Sequence, residues 1–209
     1  MSPRPALALR DALARGEPVD DAALDAVFPD ELRERSAVHW TPVAVARRAA
    51  AMLAPLAGHR ILDVGAGVGK MCVIGAAVTR ATWWGIEQDE AQVEAARHAA
   101  WALGVDGETR FVHGDGSRIA WDEFDGFYFY NPFTTLMLAP HASAFMRYAT
   151  IQRTLRQVEQ RLVALRPRTR VITYHGFGGT WPREMMRVAR EPAGSDALEL
   201  WVRHDTEIV

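Results

Sequence analysis

Between Arg60 and Val209 short apolar runs alternate with amphipathic stretches of helical period, and the runs end in glycine, acid, asparagine or histidine. "RILDVG", "TWWGIE", "TRFVHGD", "GFYFYN" and "TRVITYH" read as five strands. An apolar helix from Val68 to about Thr79 follows the first of them directly. "DEAQVEAARHAAWALG" reads as a helix opened by acids and closed by Gly104, and Leu138 to Leu165 as another, with a break near Pro140. "EMMRVARE" and "LELWVRH", separated by "PAGSDA", predict a closing hairpin. Ahead of the first strand, Thr41 is placed to cap a helix with Pro42 at its first position, running through "VAVARRAAAML" to about Pro55. From Pro3 to Arg35, Ala, Leu and Arg recur at helical spacing, broken at Gly16-Glu17-Pro18 and at Pro29, which predicts two or three short helices.

Alternation of this kind predicts an α/β fold with a doubly wound, mostly parallel, seven-stranded sheet. The hairpin supplies an antiparallel strand at or near one edge, and the leading helices form a cap. With 209 residues and no linker, repeat or low-complexity tract, a single domain is expected, residues 1–38 as cap and 39–209 as core.

Composition narrows the chemistry. A formal charge of −2 and a pI near 6.4 provide no global basic field, which weakens a polynucleotide substrate without excluding one. Arg153, Arg156, Arg161, Arg166, Arg168 and Arg170 read first as the solvated side of a helix. Lys70 is the sole lysine. The lone Cys72 lies in an apolar run, as a core residue would, and suits a reducing cytoplasm. No run approaches the ~18 apolar residues of a membrane span, and no secretory signal opens the chain. Neither H-E-x-x-H nor paired C-x-x-C occurs, so no metal is expected.

The glycine-rich turn in "ILDVGAGVGKM" resists two common readings. A P-loop needs Ser or Thr after its lysine and glycine five positions before the second one, but Met71 follows Lys70 and Val64 holds the earlier position. A dinucleotide fingerprint needs G-x-G-x-x-G, whereas Gly65, Gly67 and Gly69 give G-x-G-x-G behind Asp63, whose carboxylate would repel a pyrophosphate and attract a cation or an amine. Glu87, ending the second strand, sits where such folds hold ribose hydroxyls. Asp115, after the third, is in reach of an adenine amine. Adenosine at one end, no phosphate and a cationic amine at the other describe S-adenosylmethionine.

"ILDVGAGVGK", "WGIEQDE", "VHGDG" and "FYFYNPF" resemble, in order and spacing, the motifs of class I S-adenosylmethionine-dependent methyltransferases over His39 to Val209. The resemblance implies a Rossmann-like methyltransferase fold. It also implies methionyl contacts from Asp63, Gly65 and Gly67, ribose contact from Glu87, and adenine contact from Asp115 and Gly116. "HWTP" is similar to a segment that lies over the cofactor in several members, which adds Thr41 to its helix-cap reading. Asn131-Pro132-Phe133 resembles the segment that aligns a target nitrogen, with one proline where that motif has two. Asn131 would touch both cofactor and acceptor, orienting a lone pair toward the methyl group, with Tyr130 and Phe133 against substrate or sulfonium. The other aromatics of this stretch read as core. The "YHGFGGTWP" loop is expected to replace a helix as a movable or close-packed lid, and His175 within it is either a proton acceptor or a structural residue. The acceptor, a small molecule or a protein, is not legible. The alternatives are a nicotinamide-dependent oxidoreductase and a non-catalytic S-adenosylmethionine-binding module.

Overall fold

The computed structural model describes residues 3–34, 36–116, 118–132 and 144–204. Four short helices open it: α1 (Pro3–Ala14), α2 (Asp21–Asp25), α3 (Asp30–Arg33) and α4 (Ser36–His39). Then follow α5 (Val43–Leu53), β1 (Arg60–Val64), α6 (Lys70–Val78), β2 (Thr82–Glu87), α7 (Glu90–Leu103), β3 (Thr109–His113) and, after a 3₁₀ turn at Trp121–Glu123, β4 (Gly126–Tyr130). A long helix, α8 (Ala144–Ala164), leads to β5 (Arg170–Tyr174) and the hairpin β6 (Met185–Ala193) and β7 (Asp196–Arg203).

The seven strands form one sheet in the order β3-β2-β1-β4-β5-β7-β6. β1 to β5 run parallel, and β7 lies antiparallel between β5 and the edge strand β6. Both faces are covered, so the central strands read as nearly unbroken apolar runs. Alternation along β4 divides the core: Tyr128 joins the cluster under α5 and α6, while Phe127 and Phe129 join Leu155, Val158 and Leu162 of α8 on the other face. The chain winds outward from β1 to β3, returns to the middle and winds the other way from β4. The carboxyl ends of β1 and β4 therefore part at the centre, where such sheets open a crevice.

Some boundaries differ from the sequence reading. Three helices lie between Pro3 and Arg35, as expected, a fourth follows them at Ser36–His39, and α1 packs on α6 and α7. Ala6, Leu13, Leu24 and Phe28 belong to the same buried cluster as α5 and α6, so these helices share a core with the sheet. Thr41 does not cap α5. The helix starts at Val43 with Pro42 at the cap position, and Asp21 accepts the Val43 N–H at 2.9 Å from another element. The hairpin turn contracts to Gly194-Ser195 because both strands extend into "PAGSDA". A register shift between Arg187 and Ala189, together with Pro192, blunts the exposed edge strand. The expected start of the long helix at Leu138 and the break at Pro140 lie outside the described residues. Among these residues, no helix is long and apolar enough to cross a membrane.

The arginine run is only partly a solvated face. Arg161, Arg166 and Arg170 donate to the carbonyls of Ile119, Phe124 and Met52, so half of the run ties distant segments of the chain together.

Candidate functional site

At the carboxyl end of β1 the chain turns through Gly65, Gly67 and Gly69, with φ of 77°, 54° and 75°. Two positions explain why side chains are absent. A Cβ on Gly69 would sit 2.5 Å from the Phe111 ring, and one on Gly65 would sit 3.1 Å from Pro132. The first lets the turn press onto the sheet, and the second brings the Asn131-Pro132 segment of β4 against it. The turn is fixed by its backbone: Gly65 N–H and Ala66 N–H both donate to the Ile86 carbonyl at 3.0 Å, and Gly69 N–H to the Ala66 carbonyl at 2.8 Å.

Glu87 joins this turn to the next. Its Oε2 accepts the Gly67 N–H at 3.0 Å, and its Oε1 accepts the N–H groups of Gln88 and Asp89 at 2.7 and 3.0 Å. Three backbone donors leave about one of the carboxylate's four lone-pair directions for a ligand hydroxyl and fix where it points.

Asp63 corrects an expectation. It is buried beneath the turn, with Cys72 Sγ 3.8 Å from its Oδ2. Burial first, and the Glu87 charge second, push its pKa up to about 8. Burial thus favours the neutral carboxyl near neutral pH, against the standing negative charge expected from the sequence. The same burial pushes the Cys72 thiol up.

A cavity of about 860 Å³ opens over these residues. Thr41, Asp63, Gly65, Gly67, Glu87, Asp115, Gly116, Tyr130 and Asn131 all line it. Phe133, the remaining site residue expected from sequence, lies outside the described residues. Asp115 is half-buried, with Arg118 Nε 3.9 Å away. Thr41 is 5% exposed, and its Oγ1 shares a hydrogen bond of 2.9 Å with the Tyr128 hydroxyl. Burial pushes the Tyr128 phenol well up, so it stays protonated on the cavity floor.

Sequence reasoning placed Tyr128 in the core and did not assign Trp121 or Trp40, yet all three line the cavity. Tyr128 carried a signal, since it shares a strand face with Tyr130 two residues on. Trp121 carried none. It reaches the site from the 3₁₀ turn, with its Nε1–H on the Gly116 carbonyl at 3.0 Å.

The far wall is built differently. Asn131 and His175, at the ends of neighbouring strands β4 and β5, have φ of 40° and 60°, in a region that side chains other than glycine rarely adopt. The Asn131 N–H donates to the Gly176 carbonyl at 3.2 Å, which couples the two. The Tyr130 ring stacks on the His175 imidazole at 5.4 Å and 23°. Both imidazole nitrogens face the hairpin: Nε2 lies 3.0 Å from Ser195 Oγ, and Nδ1 lies 3.3 Å from Asp196 Oδ2. His175 thus lines the cavity with both of its nitrogens engaged by the hairpin turn. The loop behind it has no helix, as expected, and of the two lid readings it is the close-packed one: Phe177 is buried, and Trp181 stacks on Trp201 at 4.1 Å.

No family model matches the chain, and no curated protein sequence matches it. Solved structures do. An RNA methyltransferase from Salinibacter ruber in complex with S-adenosyl-L-homocysteine is 21% identical with a TM-score of 0.58, over 79% of this chain and 94% of that one. TrmN from Thermus thermophilus is 20% identical with a TM-score of 0.57, again over 79% of this chain, which spans only 49% of TrmN's length. A variant of MtNAS in complex with S-adenosylmethionine is 18% identical with a TM-score of 0.57, over 95% of this chain and 73% of that one. Strand order, crevice and likeness agree that this chain has the Rossmann-like fold of the class I S-adenosylmethionine-dependent methyltransferases.

Proposed function

We propose that the chain binds S-adenosylmethionine in this cavity and transfers its methyl group to a nitrogen acceptor. One observation carries the reading: a single cavity joins a backbone-fixed acid at Glu87, a protonatable buried acid at Asp63, and the Asn131 segment, which packs on Gly65 between them. The cavity volume falls within the range of small-molecule sites, and the glycine turn leaves room for a ligand to approach the backbone. When bound, S-adenosylmethionine would supply a methyl group on a sulfonium, a leaving group already activated for in-line displacement. Glu87 and Asp115 would hold the adenosine end. Asp63 would lose its proton to solvent as a cation approaches, because an opposite charge favours the ionised form. Asn131 would accept a hydrogen bond from the acceptor nitrogen and aim its lone pair, while the Tyr130 and His175 rings wall the acceptor in. Such alignment is the main contribution a protein makes to this reaction.

The test is calorimetric titration with S-adenosylmethionine, S-adenosylhomocysteine and NADH, on wild type and on Glu87→Gln. The adenosyl-sulfur ligands are expected to bind, with affinity falling about fiftyfold in the variant as a buried acceptor is weakened. Binding of NADH alone would overturn the reading in favour of a nicotinamide oxidoreductase. Binding without transfer to any acceptor, in a screen of small amines, proteins and RNA, would make the chain a non-catalytic module. RNA enters that screen because the Salinibacter neighbour is named for it.

A further inference from the structure

Lys70, the only lysine in the chain, stands at the first position of α6, directly behind Gly69. Its side chain is only 4% exposed, and it lines the ligand cavity. Two carboxylates of α2 enclose the ammonium: Asp21 Oδ1 and Asp25 Oδ1 each lie 2.6 Å from Nζ. The first contact is a hydrogen bond, and the second is an ion pair without hydrogen-bond alignment. The Trp40 ring lies 5.9 Å from the same ammonium.

The two carboxylates also hold the rest of the N-terminal segment. Asp21 Oδ1 accepts the Val43 N–H, and Asp25 Oδ2 accepts the Ser36 hydroxyl at 2.6 Å. One ammonium on the glycine turn thus gathers α2 and the starts of α4 and α5. With two carboxylates already on it, Lys70 has little field left to attract a ligand anion. Its geometry is that of a fastener. Asp25 is 7% exposed in its side chain, so losing the ammonium would strand a buried charge.

Between the ends gathered in this way run His39, Trp40 and Thr41, all of which line the cavity. A ligand touching them meets those contacts only when α2 is fastened. It therefore binds the fastened form more tightly and shifts the population toward it. By linkage, fastening raises affinity for the ligand by the same factor.

We propose that Lys70 is a positioning residue that latches the N-terminal helices onto the glycine turn, making closure of the latch and occupation of the cavity by an adenosyl amino-acid ligand one linked equilibrium. Only the ligand's identity rests on the cofactor reading above. The latch lands beside the glycine turn and Asp63, so loss of the N-terminal helices is expected to act on affinity for the ligand held there.

A chain with one lysine allows a direct test. The full-length protein is acetylated with N-acetoxysuccinimide, and Lys70 is followed by peptide mass spectrometry, with the α-amino group of the same molecules as reference. Saturating S-adenosylhomocysteine is expected to slow Lys70 acetylation about fivefold without changing the reference, and Asp25→Asn to speed it about tenfold while weakening the ligand by a similar factor. Lys70→Arg should keep affinity within about threefold of wild type, and Lys70→Met should lose about tenfold. Unchanged Lys70 acetylation despite calorimetrically verified binding would overturn the linkage, and an unchanged rate in Asp25→Asn would overturn the latch. A calorimetric blank with S-adenosylhomocysteine would sink the cofactor reading, and the Asp25→Asn rate would still decide the latch. Should Lys70→Met fail to fold, the Asp25→Asn and Lys70→Arg arms decide.

Discussion

At the ends of β1, β2 and β3 the backbone makes the binding surface. Glycines hold the positive φ angles, amide groups tie turn to turn, and the Glu87 carboxylate is held by three N–H donors. At the ends of β4 and β5 side chains make it, and positive φ angles fall on Asn131 and His175 as well as on Gly176 and Gly178, so that the two non-glycine residues store strain. A preset backbone surface suits a ligand whose shape never changes. A wall of rings and strained residues, backed by a hairpin turn, can be rebuilt for a different acceptor without disturbing the first half, and this is how one fold comes to host many chemistries.

The contrast can be broken most strongly at Asp63. Below pH 3.8 its carboxyl is protonated in folded and unfolded chains alike. As pH rises the unfolded chain ionises first, so stability is lost until the folded carboxyl ionises near pH 8. The neutral group's contribution is thus fully present in acid and falls by about 6 kcal/mol over that window. Asp63→Asn should remove a slope of one proton from urea-unfolding free energies measured between pH 4 and 8. Parallel curves for the two proteins would mean that the backbone half carries no stored proton.

The next effect tests the glycines. Gly69→Ala forces a side chain into left-handed backbone and against the Phe111 ring, and should cost about 3 kcal/mol in chemical denaturation. The sign reverses on the other half. Asn131→Gly relieves strain and should add roughly 0.5–1 kcal/mol of stability while turnover falls, once an acceptor is known. Losses at both positions would erase the distinction between the two rims.

The backbone half was the more legible in sequence for a physical reason. Its groups sit at the ends of successive strands, each marked by its own short stretch of sequence, so glycine spacing and strand-terminal acids report them directly. Tyr128 was half legible, through its face-sharing with Tyr130. The role expected of Thr41 went elsewhere: Asp21, distant in sequence, accepts the Val43 N–H, and the Thr41 hydroxyl turns to Tyr128. Trp121 reaches the site from a 3₁₀ turn, and the pairing of His175 with Ser195 and Asp196 depends on how the end of β5 meets the hairpin turn; no local pattern encodes either.

By itself the sequence determined the strand and helix periods, the parallel core with its closing hairpin, and the acids and glycines aimed at the crevice, because each depends on near neighbours along the chain. Only the tertiary structure decided that Asp63 is buried, which pushes its carboxyl toward the neutral form, that both His175 nitrogens turn to the hairpin, and that the sole lysine fastens the N-terminal helices. Burial, ring stacking and ion pairing depend on which distant residues meet, and that is settled only when both faces of the sheet have been covered.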